Sequence, residues 1–455
     1  MTMNASVKTG FSGAFIWFVF TGCVLFRQES PSGNDPFSSD KEHVIFAEKK
    51  PVDTFMASLL AKYPQFFDAI LKKKEELGIQ IIYTQIDRGK KGKIKFTDHT
   101  FNLSTDNYFY PASTVKLPVA ILALQKLNEL KVAGLTRNTT MITESDGNDQ
   151  TQVCNDPSTA TGPPSIAHYI KKILLVSDND AFNRLYEFLG QEYINNSLHK
   201  MGFTDAQIIH RLDISLTEDQ NRHTNPVGFY PLNESRGQDA VHDSSSRIIY
   251  KKPAEKSKLV YANRSTKMGK GYYKSGTLIN EPFDFSKKNR LSLQDLHDMV
   301  RSVMFPEAVP EQHRFNLAKE DYDFLRKYMS MMPQESAFPF YGSPDYWDTY
   351  VKFLFYGAEK GKAEPSIRIF NKVGDAYGFL IDAAYIVDYK NKIEFQLSAV
   401  IHCNSDGIFN DDKYDYDEVG FPFMKNLGRV IYEYELKRQR KKNPDLSSFQ
   451  INYIN

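Results

Sequence analysis

The order in which hydrophobic periods appear along this chain narrows its fold more than any other feature. Ile79-Gln-Ile-Ile-Tyr-Thr-Gln-Ile-Asp87 reads as a strand, and Lys93-Ile-Lys-Phe-Thr97 as its hairpin partner. A helix is expected before them, over Gln65–Leu77, ending at Gly78. The pattern then turns helical, with helices expected at Val119–Leu130, Ile166–Val176, Ala181–Leu189, Tyr193–Met201, Leu291–Phe305 and Leu317–Met331. Strands return from Ile367, at Ala383–Asp388 and Ile393–His402, before a last helix over about Phe423–Arg438. Strand segments at both ends of a helical block satisfy their backbones most simply by pairing with each other. The expected fold is therefore α+β: an antiparallel sheet flanked by terminal helices, with an all-helical subdomain inserted.

Three short runs carry the chemistry. In Ser113-Thr-Val-Lys116 the two polar residues are three apart, so on a helix they share one face, a turn from each other. A serine hydroxyl is a poor nucleophile until a base takes its proton. A neutral Lys116 is such a base if burial and nearby positive charge lower its pKa. Ser177-Asp-Asn179 lies between two expected helices, where Ser177 suits a proton shuttle and Asn179 can hold Lys116 or a substrate. Asp178 is read as a brace for that loop. Lys372-Val-Gly374 follows Ser366-Ile-Arg-Ile-Phe370 and precedes the strand run Gly378–Val387, so Lys372 supplies charge from a strand. Lys274-Ser-Gly276 is a rival for the third run, but Glu281-Pro-Phe-Asp follows it where a long strand is needed, and Lys372 is preferred.

In this order the runs resemble the S-x-x-K, S-D-N and K-[TS]-G motifs of the penicillin-recognising serine hydrolases, and Phe109–Pro118 is similar to the nucleophile segment of their class A β-lactamase-like branch. The resemblance covers roughly residues 53–435. It implies a β-lactamase/transpeptidase-like fold with its site in the cleft between sheet and helical part. It also implies catalytic roles for Ser113, Lys116 and Ser177, and substrate-binding roles for Asn179, Lys372, Gly374 and Asp375. The backbone N–H groups of Ser113 and Asp375 match the oxyanion donors. No metal and no cofactor are implied.

Two departures bear on activity. Val373 stands where the family has Thr or Ser, and the lost hydroxyl bond to a substrate carboxylate is worth on the order of 1 kcal/mol. Arg211-Leu-Asp213 resembles the turn that precedes the deacylating Glu, but Leu216 occupies that place. Glu218 and Asp219 follow and are read as a solvated surface pair, with a shifted loop that brings Glu218 inward as the other reading. Without a placed base, acylation proceeds and hydrolysis of the acyl-enzyme is expected to be slow. Pro118 is awkward inside a helix and is compatible with a tight first turn over Ser113–Lys116.

The 455 residues are 41% apolar and 25% charged with a formal net charge of +1, a globular balance that gives no argument for nucleic acid. The hydrophobic run Phe11–Phe20 continues to Phe26, follows Lys8 and fits a secretory h-region. Phe20-Thr-Gly-Cys23 resembles a bacterial lipobox with Phe in place of Leu, making Cys23 the lipidated residue; an uncleaved N-terminal anchor is the other reading. Either places the protein outside the cytoplasm, in the periplasm or on the outer surface, held to the membrane. Cys154 and Cys403 are expected to stay unpaired.

The expected organisation is a signal peptide at 1–22, a lipid-anchored flexible tether at 23–52, a catalytic domain at 53–440 and a tail at 441–455. Within the domain, residues 53–110 and 350–440 form the sheet part and 111–349 the helical part, with a long insertion at 214–290 read as a lid or specificity element. The leading functional expectation is a serine hydrolase that opens β-lactam rings through an acyl-enzyme on Ser113. A cell-wall D-Ala-D-Ala-type peptidase or esterase is the alternative, and a non-catalytic ligand-binding module the third. The expected partner is a small β-lactam or a cell-wall peptide.

Overall fold

The computed structural model describes residues 53–147, 151–231, 247–262 and 264–453. The expected signal peptide, Cys23 and the tether lie outside these residues. The five long strands are β1 (Gln80–Arg88), β2 (Ile94–Phe101), β3 (Ile367–Ala376), β4 (Phe379–Asp388) and β5 (Ile393–His402). They form one antiparallel sheet in the order β3-β4-β5-β1-β2. The β1–β5 pairing, from Gln80 opposite Val400 to Gln85 opposite Phe395, joins the early and late parts of the chain as the periodicity predicted. Tyr377 (φ 54°) and Gly378 (φ 79°) link β3 to β4. Positive φ at both central residues is the two-residue turn that matches the twist of paired strands.

The described residues include nine helices of six residues or more. They are α1 (Phe55–Leu60), α2 (Pro64–Lys72), α3 (Lys116–Leu130), α4 (Ile166–Val176), α5 (Asn179–Leu189), α6 (Gln191–Lys200), α7 (Leu293–Met304), α8 (Lys319–Ser330) and α9 (Phe421–Lys437). Alternation along the strands sends Ile81, Tyr83, Ile369, Val373 and Leu380 into a core shared with α1, α2 and α9. The same alternation sends Ile82, Ile381, Ala383, Tyr385 and Val387 into a second core shared with α3–α8. With both faces covered, β4 is buried at every position, which is why it reads as a continuous apolar run.

The helical part differs from expectation in one respect. Besides its helices it carries short ribbons, such as Thr140–Thr143 with Val227–Tyr230 and Tyr250–Lys252. Strands of two to four residues are too short to leave a period in the sequence. Much of the 214–290 insertion is built from such ribbons. Gly271–Lys274 pairs with Thr277–Ile279 and, in parallel, with Ile408–Phe409. Residues 441–453, expected as a tail, also pack inward. Leu446 and Phe449 are buried in the second core, and the Phe449 ring lies 4.9 Å from that of Tyr385. Isolated apolar residues without a period gave no sign of this.

Candidate active site

Ser113 sits where an extended segment turns into the buried helix α3. Ala112 takes φ 47°, a left-handed conformation that costs a non-glycine residue energy and sharpens the turn. Ala112–Val115 form one 3-10 turn, and the α-helix begins at Lys116. Pro118 therefore falls in the first turn of α3, where a missing N–H disturbs the helix least. The same start places Lys116 one turn beyond Ser113 and fully buried, while Ser113 stays half-buried at the cleft.

The Ser177-Asp-Asn179 run is the joint between α4 and α5. Ser177 ends α4 in the left-handed conformation, at φ 63°. Asp178 caps α5 by accepting from the Ala181 N–H at 2.7 Å, and its carboxylate lies 3.4 Å from the Lys172 ammonium. Lys172 in turn pairs with Asp156 at 2.9 Å, which ties the joint to a neighbouring loop. Asp178 thus braces the turn, as read from the sequence, and Asn179 is left to point its side chain into the site.

These elements converge on Lys116. Its Nζ lies 2.8 Å from Ser113 Oγ, 2.6 Å from Asn179 Oδ1 and 3.2 Å from Ser177 Oγ, and also contacts the Ser177 carbonyl. Four oxygens surround a group that has at most three protons to donate; two of them, Ser113 Oγ and Ser177 Oγ, belong to hydroxyls able to donate in return, and Ser113 is the closer. Burial first, and the charge of Lys372 second, hold the Lys116 pKa well below the ordinary lysine value. Lys372, on edge strand β3, is 2% exposed and places Nζ 2.8 Å from Ser177 Oγ and 2.8 Å from the Val373 carbonyl. Burial lowers its pKa to about 7, against the opposing pull of Asp375 and Asp382. Ser177 Oγ is therefore shared by two lysines.

Gly374 explains itself by contact. A Cβ there would come within 2.8 Å of the Pro111 carbonyl and 2.9 Å of the Ser113 nitrogen, so β3 can approach the nucleophile turn only without a side chain. Asp375 follows on the same edge strand and lines the cleft with Ser113. The side chain of Val373 points the other way, into the core shared with α9, where it is 2% exposed. The rival Lys274 lies elsewhere. Its Ser275 (φ 50°) and Gly276 (φ 78°) form a hairpin turn between two insertion strands.

The cleft in front of Ser113 has a volume of about 750 Å³, the size of small-molecule sites. Its far wall is the segment 210–215. Arg211 holds this segment from below through the buried Glu187, with Nε 2.7 Å from Oε1. Asn183 clamps it by exchanging hydrogen bonds with the Leu212 backbone at 2.9 and 3.0 Å. Asp213, at φ 55°, then reaches Asn179, whose Nδ2 lies 3.4 Å from its Oδ2. Leu216 lines a neighbouring cleft. Glu218 stands at the surface, 2.8 Å from Lys287 and 2.6 Å from Tyr261, and these bonds lower its pKa to about 2. The surface-pair reading of Glu218 fits this placement.

Among the cleft-lining residues that sequence reasoning did not place in the site are Asp213 and Lys288. Asp213 was visible only as the end of the Arg211-Leu-Asp213 turn. Lys288 lies in the insertion and left no signal. Cys154 and Cys403 are both free.

A family model described as "Beta-lactamase enzyme family" matches residues 65–251, a span that holds Ser113, Lys116 and Ser177–Asn179 and stops before β3. A comparison with curated proteins finds no match. Among solved structures, a β-lactamase from Burkholderia phymatum is 12% identical with a TM-score of 0.44, over 83% of this chain and 98% of that one. A class A β-lactamase from Clostridium kluyveri DSM 555 is 13% identical with a TM-score of 0.42, over 81% and 98%. A β-lactamase from Sphaerobacter thermophilus DSM 20745 is 11% identical with a TM-score of 0.42, over 83% and 97%. The match over residues 65–251 supports a β-lactamase-like hydrolase.

Proposed function

We propose that this protein is a serine hydrolase that forms an acyl-enzyme on Ser113, with β-lactams as substrates. The observation that carries the reading is the buried Lys116 amine 2.8 Å from Ser113 Oγ, its pKa depressed, at the floor of an open cleft. In the first half-reaction, neutral Lys116 takes the Ser113 proton as Oγ bonds to the substrate carbonyl. The Ser113 and Asp375 N–H groups stabilise the oxyanion. The proton passes from Lys116 to Ser177 Oγ, 3.2 Å away, and on to the departing nitrogen as the C–N bond breaks. In the second, water attacks the ester, and Asp213, the cleft carboxylate beside Asn179, takes its proton. That proton returns to Ser113 Oγ as the acid product leaves.

A peptidase or esterase acting on cell-wall peptides is the second reading, favoured by Leu216 and Glu218, which leave the Ser113 cleft without a Glu to activate the deacylating water. Intact-protein mass spectrometry over time, after exposure to penicillin G and to a D-Ala-D-Ala peptide, separates the two. The Ser113→Ala protein takes no adduct from either, and an adduct that persists on it at another serine rejects the nucleophile. We place the protein outside the cytoplasm, anchored through lipid on Cys23. Metabolic labelling with a palmitate analogue is expected to mark the wild type and not Cys23→Ser; label on both rejects that anchor.

A further inference from the structure

Lys288 is a cleft residue with an unusual seat. Its backbone is held on both sides. The N–H donates to the Phe285 carbonyl at 2.9 Å, and the following Arg290 exchanges backbone bonds with Gln207 at 2.7 and 2.8 Å. The ammonium lies 5.7 Å from the ring centres of both Phe283 and Tyr377. These rings are themselves fixed, since Phe283 packs against Phe285 at 4.7 Å and Tyr377 against Tyr110 at 5.1 Å. Neighbouring cations are neutralised: Lys287 by Glu218 at 2.8 Å and Arg290 by Asp205 at 2.9 Å. No ion pair among the described residues includes Lys288. Aromatic faces hold a cation without cancelling its charge.

The other positive groups near Ser113 are committed. Lys372 is 2% exposed, with its Nζ on Ser177 and on its own strand. Lys116 is enclosed by four oxygens, and Arg211 is held by Glu187. The rest of the cleft's charge is acidic, from Asp213, Asp375 and Asp412. An anionic substrate group is repelled by these carboxylates except where a free cation offsets them. We propose that Lys288 binds the carboxylate of an anionic acyl substrate in the Ser113 cleft, so that the insertion, rather than β3, selects for charge. The proposal rests on the reading of Ser113 as nucleophile.

The test compares acylation by penicillin G with acylation by its methyl ester, which keeps the ring and removes the charge. Rates are read by intact mass on the full chain and on Lys288→Gln and Lys288→Arg. Lys288→Gln is expected to slow penicillin G by roughly 10- to 100-fold, as for a lost bond to a charged group, and to leave the ester within about twofold. Lys288→Arg is expected to keep most of the penicillin G rate. Equal losses for both compounds, no loss for penicillin G, or a wild type that prefers the ester would each overturn the proposal while leaving Ser113 as nucleophile. Absence of any Ser113 adduct from both compounds overturns the nucleophile reading, and this inference with it.

Discussion

Lys372 Nζ lies 2.8 Å from Ser177 Oγ, a contact that spans the cleft floor from edge strand β3 to the joint between α4 and α5. Because Ser177 Oγ also lies 3.2 Å from Lys116 Nζ, one hydroxyl couples two buried amines. Each amine resists charge because of burial, and Lys372 further depresses Lys116.

That coupling predicts the pH profile. Acylation is expected to rise with pH as Lys116 becomes neutral, and to fall above about 7 as Lys372 loses the charge it holds beside Ser177 Oγ, where the proton is passed to the departing nitrogen. Lys372→Arg keeps the charge and is expected to lose the alkaline limb. Acylation rates with penicillin G across pH check this, and an unchanged limb in Lys372→Arg rejects the assignment. The stability sign is separate. The folded pKa of Lys372 is lowered from 10.5 to about 7, so the unfolded chain binds more protons between these values and stability rises with pH across that window. Urea melts of Lys372→Met are expected to show a shallower rise.

Gly374→Ala tests the contact between β3 and the nucleophile turn. Its Cβ would sit 2.9 Å from the Ser113 nitrogen, so Ser113 or β3 must shift. A displacement of the nucleophile by about 1 Å costs on the order of 10²-fold in acylation. The sheet pairing is otherwise untouched, so the far-UV spectrum is expected to be unchanged. A variant that acylates at the wild-type rate would show that the turn has room.

Asp213 and Glu218 make opposite predictions for the second half-reaction. Asp213→Asn is expected to lengthen the life of the penicillin G adduct by roughly 10²–10⁴-fold, the range for a lost general base. Glu218→Gln is expected to leave it unchanged, because Lys287 and Tyr261 hold Glu218 at the surface. Adduct decay after rapid removal of free penicillin G measures both. Decay in Asp213→Asn at the wild-type rate would remove Asp213 from the mechanism.

Glu187→Ala leaves the Arg211 guanidinium without its buried partner. Breaking one side of such a pair costs about 3–5 kcal/mol. The protein is expected to lose that stability in denaturant melts, and to bind substrate more weakly because segment 210–215 loses its anchor. A loss below about 1 kcal/mol would mean that the pair is solvated.

Much of the fold was legible in local periods. The strands around Ile82 and Ile386, and the helices α3 to α8, repeat their apolar residues at the intervals their backbones require, so chain order alone implied a sheet closed by its two ends. The spacing of Ser113 and Lys116 and the capping residues of Ser177-Asp-Asn179 are also local, and the joint they predicted is the one observed. What tertiary structure decided is everything that depends on distance through space. It brought Lys372 and not Lys274 to Ser177, turned Val373 to the rear core, and left Leu216 and Glu218 outside the cleft. It placed Asp213 and Lys288 inside, on an irregular segment and in the insertion, where no period marks a residue's direction. The depressed pKa values of Lys116 and Lys372 belong to the same class, since desolvation is set by what packs around an amine and not by its neighbours in sequence.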